Sequence, residues 1–187
     1  IFMEYIIYCR KSTDESQQKQ VQSISDQISK CIKFAESHWL SIALKPQNFP
    51  FESQNELIKE ENEQDRYRKK IYDDYKHLFI IKESKSAKIP WKREKRSKLI
   101  KWVKKGKVKG IISYSPDRQS RNLLEGGEII NLVDQGLVDL KYSNFHFEPN
   151  AAWKMMLGIW FTLSKQYSDK LSEDCKRGID SAVQRGR

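Results

Sequence analysis

The chain is poor in the side chains that build metal and disulfide sites. It has three cysteines, Cys9, Cys31 and Cys175, and three histidines, His38, His77 and His146. No two cysteines stand as C-x-x-C, so neither a zinc ribbon nor a disulfide framework is indicated, and the odd count fits a reducing compartment. The histidines show no metal-ligand spacing. There is no G-x-x-x-x-G-K-[ST] loop, so nucleotide binding has no support, and no paired acids stand at strand ends as a two-metal nuclease would need. No apolar run approaches the roughly 18 residues of a membrane span, and no charged-then-apolar leader opens the sequence. A cytoplasmic protein is expected, without metal, cofactor, nucleotide or membrane contact.

What the chain has in excess is positive charge. Its 187 residues include 35 Lys and Arg against 25 Asp and Glu, a net charge of +10, with a pI near 9.4 and a mean hydropathy of -0.76. Such a balance favours a polyanionic partner, nucleic acid ahead of a membrane surface. The length suits one α/β domain with an extension.

Local patterns order the chain. The run 4-EYIIYC-9 is short, β-branched and aromatic and predicts a buried strand. Ser23, with Asp26 and Gln27 behind it, predicts a capped helix striped by Ile24, Ile28, Cys31, Ile32 and Ala35. WLSIAL (39–44), HLFIIK (77–82), GIISYS (110–115) and LVDLKY (137–142) predict further strands. Residues 95–105 predict a basic helix with Leu99, Ile100 and Val103 inward, ended by Gly106. After Pro116 one helix is expected to about Gln135, with Leu123, Leu124, Ile129, Ile130, Leu132 and Val133 in the core. Close packing is expected at Gly126-Gly127, and Gly136 ends that helix. A last helical pattern runs from about Ala151 to Arg185, striped by Met156, Ile159, Trp160, Leu163, Tyr167 and Leu171. At ~1.5 Å per residue it is about 50 Å long, so part of it should pack on another chain or on DNA. Residues 45–77 read as an acidic insertion, part loop and part exposed helix: between Glu52 and Asp65 six acidic residues face one lysine. The alternation of strands and helices gives an α/β fold, a mostly parallel central sheet flanked by helices. One domain spans 3–150 and the long helix 151–187.

Chemistry-bearing residues gather just beyond strand ends, where open α/β sheets place their sites. Tyr8, Arg10 and Ser12 point to one side if extended geometry persists. In 116-PDRQSRN-122, Arg118 and Arg121 are three apart and share a helix face, and Asp117 could cap that helix or orient an arginine. Ser86 and Arg93 belong to the loop after the strand HLFIIK. Taken alone, Ser12 reads as a turn or cap serine. Taken together, the set suits phosphoryl transfer, because guanidinium forks match phosphate oxygens bidentately and stay charged. Arginines converging on one hydroxyl can do this without a metal. Residues 92–109 hold ten Lys or Arg against one Glu, a solvated face or a DNA-facing one.

The segments YCRKSTDE, QSISDQ, ESKSAKIPWKR, SYSPDRQSRNLLEGGEIINLVDQG and KMMLGIWFTLSKQYSDKLSEDCKRG resemble the catalytic domain of the serine recombinases. This is the resolvase/invertase superfamily, and the likeness is to its large serine integrases and transposon recombinases, enzymes of DNA integration and mobile elements. It covers nearly the whole chain outside roughly 45–77. It implies a resolvase-like fold and a site-specific DNA recombinase that cuts and rejoins double-stranded DNA through a 5′-phosphoserine link. The working assembly would be a homodimer that pairs into a tetrameric synaptic complex, with neither metal nor ATP, the bond energy being kept in the covalent link. It implies Ser12 as nucleophile, Arg10 as its phosphate-binding neighbour, Tyr8 as support of that strand end and Gln27 beside the site. Ser86 and Arg93 match the loop serine and arginine. Asp117, Arg118 and Arg121 match D-R-x-x-R, the two arginines on the scissile phosphate. Lys92, Arg96, Lys176, Arg177 and Arg185 are the expected DNA contacts, Glu173 a polar contact near the cleavage site, and the long helix the carrier of dimer and tetramer contacts.

Three departures stand out. The acidic insertion is unusual, Trp91 and Trp153 replace small or flexible residues, and no C-terminal DNA-binding domain follows before Arg187. They leave a second reading, a recombinase-like module for DNA binding or oligomerisation without catalysis. A third, a metal-dependent nuclease, would lose cleavage to a chelator.

Overall fold

Among the described residues every strand pairing in the central sheet is parallel. The computed structural model describes residues 3–10, 23–46, 63–83 and 90–185. Strand β1 (Glu4–Arg10) lies at the centre, with β4 (Gly110–Ser113) on one side and β5 (Asp139–Tyr142) beyond it. On its other side β1 pairs first with β2 (Ser41–Ile42) at Glu4 and Tyr5, then with β3 (Ile80–Glu83) from Ile7 to Arg10. Two short strands therefore share one edge, joined by an antiparallel bridge between Leu44 and Leu78.

Alternation along β1 supplies both halves of the core. Tyr5, Ile7 and Cys9 pack against Ile28, Cys31, Ile32 and Ala35 of α1 (Ile24–Ser37). Ile6 and Tyr8 face the opposite layer, built by α3 (Glu94–Lys104), α5 (Leu123–Asp134) and α6 (Ala151–Gln184). The winding direction thus reverses between β1 and β4. In an open sheet the crevice outside the carboxyl ends of the strands at such a reversal is where ligands bind. Helix α1 starts where the sequence predicts: Ser23 Oγ accepts from the Asp26 N–H at 3.2 Å, and Asp26 Oδ2 accepts from the Ser23 N–H at 3.1 Å.

Four expectations change. The helix after Pro116 is broken into α4 (Pro116–Gln119) and α5, because Ser120 and Asn122 take extended backbone. Ser120 Oγ bridges the break by accepting from the Asn122 N–H, and Asn122 Oδ1 then caps α5 by accepting from the Glu125 N–H at 2.8 Å. The break also rotates Leu123 and Leu124 into solvent. The segment expected as an exposed insertion holds α2 (Glu63–Tyr75), partly exposed, whose Ile71 is buried against the α1 layer with Tyr72 and Tyr75 beside it. In α6 the buried residues are Leu157, Phe161 and Ser168, whereas Met156, Ile159, Leu163 and Tyr167 of the expected stripe are exposed. Trp153 is accommodated edge-on against Phe145 and His146.

Close backbone packing occurs at Gly126 and not at Gly127. A Cβ on Gly126 would press into the Phe161 ring, 2.8 Å from Cγ, whereas one on Gly127 would meet nothing within 4 Å. Phe161 is fully buried and cannot swing clear. Gly126→Ala is therefore expected to cost about 1–3 kcal/mol by overpacking. Gly127→Ala should be neutral or stabilising by up to ~1 kcal/mol from helix propensity. Urea-unfolding midpoints of the two variants, moving in opposite directions, check this.

Candidate active site

The strand ends at the β1–β4 reversal carry a layer of arginines. Tyr8 and Arg10 share one face of β1, and the Arg10 side chain is wholly buried. Gln27 of α1 holds this strand end in place. Its Oε1 accepts from the Arg10 N–H at 3.2 Å and its Nε2 donates to the Arg10 carbonyl at 3.0 Å. A side-chain amide here reproduces the paired bonds of a neighbouring strand, where β4 has already ended its pairing with β1 at Ile7.

Arg10 and Arg93 together clasp the end of α4. A one-turn helix leaves its carbonyls without intrahelical donors. Arg10 Nε donates to the Arg118 carbonyl at 3.2 Å and Nη2 to that of Asp117 at 3.1 Å. Arg93 Nη1 donates to the Arg118 carbonyl at 3.3 Å and to the Tyr8 hydroxyl at 3.1 Å, and Nη2 donates to the Gln119 carbonyl at 2.6 Å. Gln119 is fixed in turn by Ser113 Oγ and by the Tyr142 hydroxyl.

Glu125 is the buried counter-charge beneath this layer. It accepts from Arg93 Nη2, from the Trp91 N–H at 3.0 Å and from Asn122 Nδ2 at 3.0 Å, and Arg96 Nη1 lies 3.5 Å away. Burial pushes its carboxyl upward. Arg96 and Arg93, with the bonds from Arg93 and Trp91, more than offset that and hold it below the usual value. The sequence reading passed over Glu125. The signal was Asn122 followed three residues later by an acid, a helix-start pattern.

Arg118 and Arg121 lie above. Asp117 Oδ2 is 3.7 Å from Arg118 Nε and 3.6 Å from Arg121 Nη2, and its other oxygen accepts from Ser115 Oγ. Arg118 Nε and Nη1 are buried and have no hydrogen-bond partner among the described residues. Arg121 and Asp117 face α6 across a cleft of about 330 Å³ lined also by Trp160, Tyr167 and Ser168. Burial lowers Arg10 most, and the positive charges of Arg121, Arg93 and Arg118 add to it, bringing it to about 9. The Tyr8 hydroxyl is raised, chiefly by burial, and stays protonated.

Of the sequence-predicted site, Tyr8, Arg10, Gln27, Arg93, Asp117, Arg118 and Arg121 are brought together. Ser12 and Ser86 lie outside the described residues. Of the expected DNA contacts, Lys92, Lys176, Arg177 and Arg185 are exposed, as is Glu173, and Arg177 pairs with Asp174. Arg96 corrects the expectation. Its place on α3 turns it inward, where Nη2 donates to the Glu125 carbonyl at 2.9 Å and Nη1 sits 3.3 Å from Glu128, so it offers DNA no surface. Among the described residues no cluster of His, Cys, Asp and Glu could hold a metal ion, and no helix is long and apolar enough to cross a membrane.

A parallel sheet flanked by helices, with arginines at its carboxyl ends and a long C-terminal helix, defines a resolvase-like α/β domain. The model of the family "Resolvase, N terminal domain" matches residues 45–187, well over half of the chain. The chain belongs to that family, the catalytic domains of the serine recombinases. The match takes in Arg93, Asp117, Arg118 and Arg121. It also runs through 45–77, where the sequence resemblance was expected to lapse, and leaves out the N-terminal strand. The fold is similar to the N-terminal catalytic domain of TP901-1 integrase, with a TM-score of 0.52 at 15% identity over 90% of this chain and 98% of that one. The C-terminal catalytic domain of ISC1926 TnpA, an IS607-like serine recombinase, gives 0.48 at 15% identity over 93% and 99%. No curated protein sequence matches.

Proposed function

We propose that the chain is the catalytic part of a site-specific recombinase, of the integrase or transposon type, that cuts and rejoins DNA with Ser12 as nucleophile. Ser12 Oγ attacks a backbone phosphorus, forming the Ser–O–P bond and breaking the P–O3′ bond. The serine proton leaves the site and the departing 3′ oxygen takes one up. Attack of a 3′-hydroxyl on the phosphoserine reverses each change, so neither ATP nor metal enters the balance. The observation that carries this reading is Arg118, a buried guanidinium whose Nε and Nη1 make no hydrogen bond among the described residues, inside a cluster whose positive charge adds to burial in lowering Arg10. A phosphate supplies the missing acceptors, and the charge that grows on its oxygens during attack strengthens those bonds. Arg121 lines the open cleft and is the second phosphate ligand. Arg10 and Arg93 act from below by fixing the carbonyls of residues 117–119. Lys92, Lys176, Arg177 and Arg185 contact the DNA backbone, and α6 joins copies into the dimer and synaptic tetramer. Ser86, seven positions before Arg93 in the sequence, serves the same site.

The test is a pool of duplexes with bridging 3′-phosphorothiolates, which release a thiol that reseals poorly. A covalent adduct is expected, mapped by mass spectrometry to the peptide holding Ser12, insensitive to chelator and absent from Ser12→Ala. An adduct that survives Ser12→Ala sinks the assignment. The burial of Arg10 and Arg93 among carbonyls favours, as a second reading, a non-catalytic DNA-binding or oligomerisation module. For that module no adduct forms while DNA is still bound.

A further inference from the structure

Trp91 combines three features that ordinary packing does not require together. It is 56% exposed, its φ is +62°, and its N–H is held by the buried carboxylate of Glu125. A bulky residue in left-handed backbone is strained and persists only where its surroundings over-determine it, which happens mostly at ligand sites. Here the surroundings are the site itself: Glu125 also holds Arg93, and Arg93 holds Tyr8 and the Arg118 carbonyl. Trp39 provides the contrast. It too has positive φ and is exposed, but it closes the C-terminal end of α1, with its N–H on the Glu36 carbonyl, and precedes β2. In a parallel sheet that places Trp39 at the amino ends of the strands. Trp91 follows β3 and precedes α3, so it stands at the carboxyl ends with the arginines.

We propose that Trp91 is a DNA-contacting residue whose indole stacks on a base of the duplex beside the phosphate held by Arg118 and Arg121. This rests on the recombinase reading and deepens it. Stacking on an indole is open to any base, since every base has a π face, and it requires that base to leave its own stack, as apolar wedges do in other DNA complexes. The charge around Trp91 selects DNA over a second copy of the chain. Lys92 is exposed next to it, the following segment is strongly basic, and the whole chain carries +10, so like surfaces repel.

The experiment measures binding of this chain to duplexes carrying 2-aminopurine at successive positions, over a salt series, with melting curves alongside. Wild type should raise the fluorescence of a 2-aminopurine placed next to the stacked base, because that probe loses a stacking neighbour, whereas a probe at the stacked position itself stays quenched by the indole. Trp91→Ala should lose that signal and bind about tenfold more weakly, with an unchanged salt slope because no phosphate contact is lost. Trp91→Phe should recover most of both. Trp91→Gly should melt higher than wild type, since the backbone strain is relieved, and yet bind as weakly as Trp91→Ala, a split that a merely structural residue would not give. Unchanged affinity and fluorescence in Trp91→Ala overturn the proposal, as does an altered oligomeric state with unchanged DNA binding, which would make Trp91 a protein contact. Wild-type protein that binds no duplex removes the recombinase reading itself.

Discussion

Glu125→Gln is expected to destabilise the chain by about 3–5 kcal/mol, the largest stability loss of any single change at the site. The carboxylate is wholly buried and faces Arg93 and Arg96, both buried themselves. Removing one partner of a buried ion pair leaves the others charged and uncompensated, which costs far more than the pair contributed. Glutamine keeps the volume, so the loss reports charge rather than a cavity. The pH dependence follows from the lowered carboxyl. A depressed acid contributes stability that is complete above its ordinary value of 4.5 and disappears as pH falls through the folded value. The gap between wild type and variant in urea titrations should therefore be full at neutral pH and close below pH 4.5. A gap independent of pH would show that Glu125 acts by shape alone.

Arg118→Met should lower adduct formation at least about a hundredfold, the usual effect of losing one donor to a developing oxyanion, while leaving stability within about 1 kcal/mol. The reason for the split is that Arg118 serves the fold through its carbonyl, which accepts from Arg10 and Arg93, and not through its side chain. Two of its guanidinium nitrogens make no hydrogen bond among the described residues, and the ion pair of Nε with Asp117 is long, at 3.7 Å, so desolvation of the cation is poorly offset. Methionine fills the space without that cost. Arg10→Met should behave differently and lose activity and stability together, because its guanidinium holds the carbonyls of Asp117 and Arg118. Single-turnover trapping beside urea titration separates the two. Equal stability losses at both positions would refute the division of labour.

Periodicity made the sheet and the long helix legible. Tyr5, Ile7 and Cys9 against Ile6 and Tyr8 is a two-sided strand that one row of residues reveals, and the cap at Ser23 names its own partner. The break at Ser120–Asn122 was not legible, because helix propensity runs straight through it. What breaks the helix is tertiary: Arg10 and Arg93, distant in sequence, satisfy the α4 carbonyls and let the turn end there. Leu123 and Leu124 read as core for the same reason, being apolar residues of a helix expected to run unbroken from Pro116, and the break leaves them exposed. Charge misled in the other direction. Arg96 belongs to a basic run and reads as surface, and only Glu125 and Glu128 from another helix turn it inward. The arginine set was readable as a set. Which members clasp backbone and which are left for a phosphate depends on distances that spacing does not encode.

The pair of bonds between Gln27 and the backbone of Arg10 acts as a tether. It fastens the last residue of β1 to the first turn of α1, so the strand end and the helix start move as one unit. Two residues of chain span at most about 7 Å, so the proposed nucleophile works within that radius of Arg10. A reactant on so short a leash meets its phosphate at a high effective concentration, and sliding α1 along its axis would shift Arg10, the reach of Ser12 and the arginine layer in one movement.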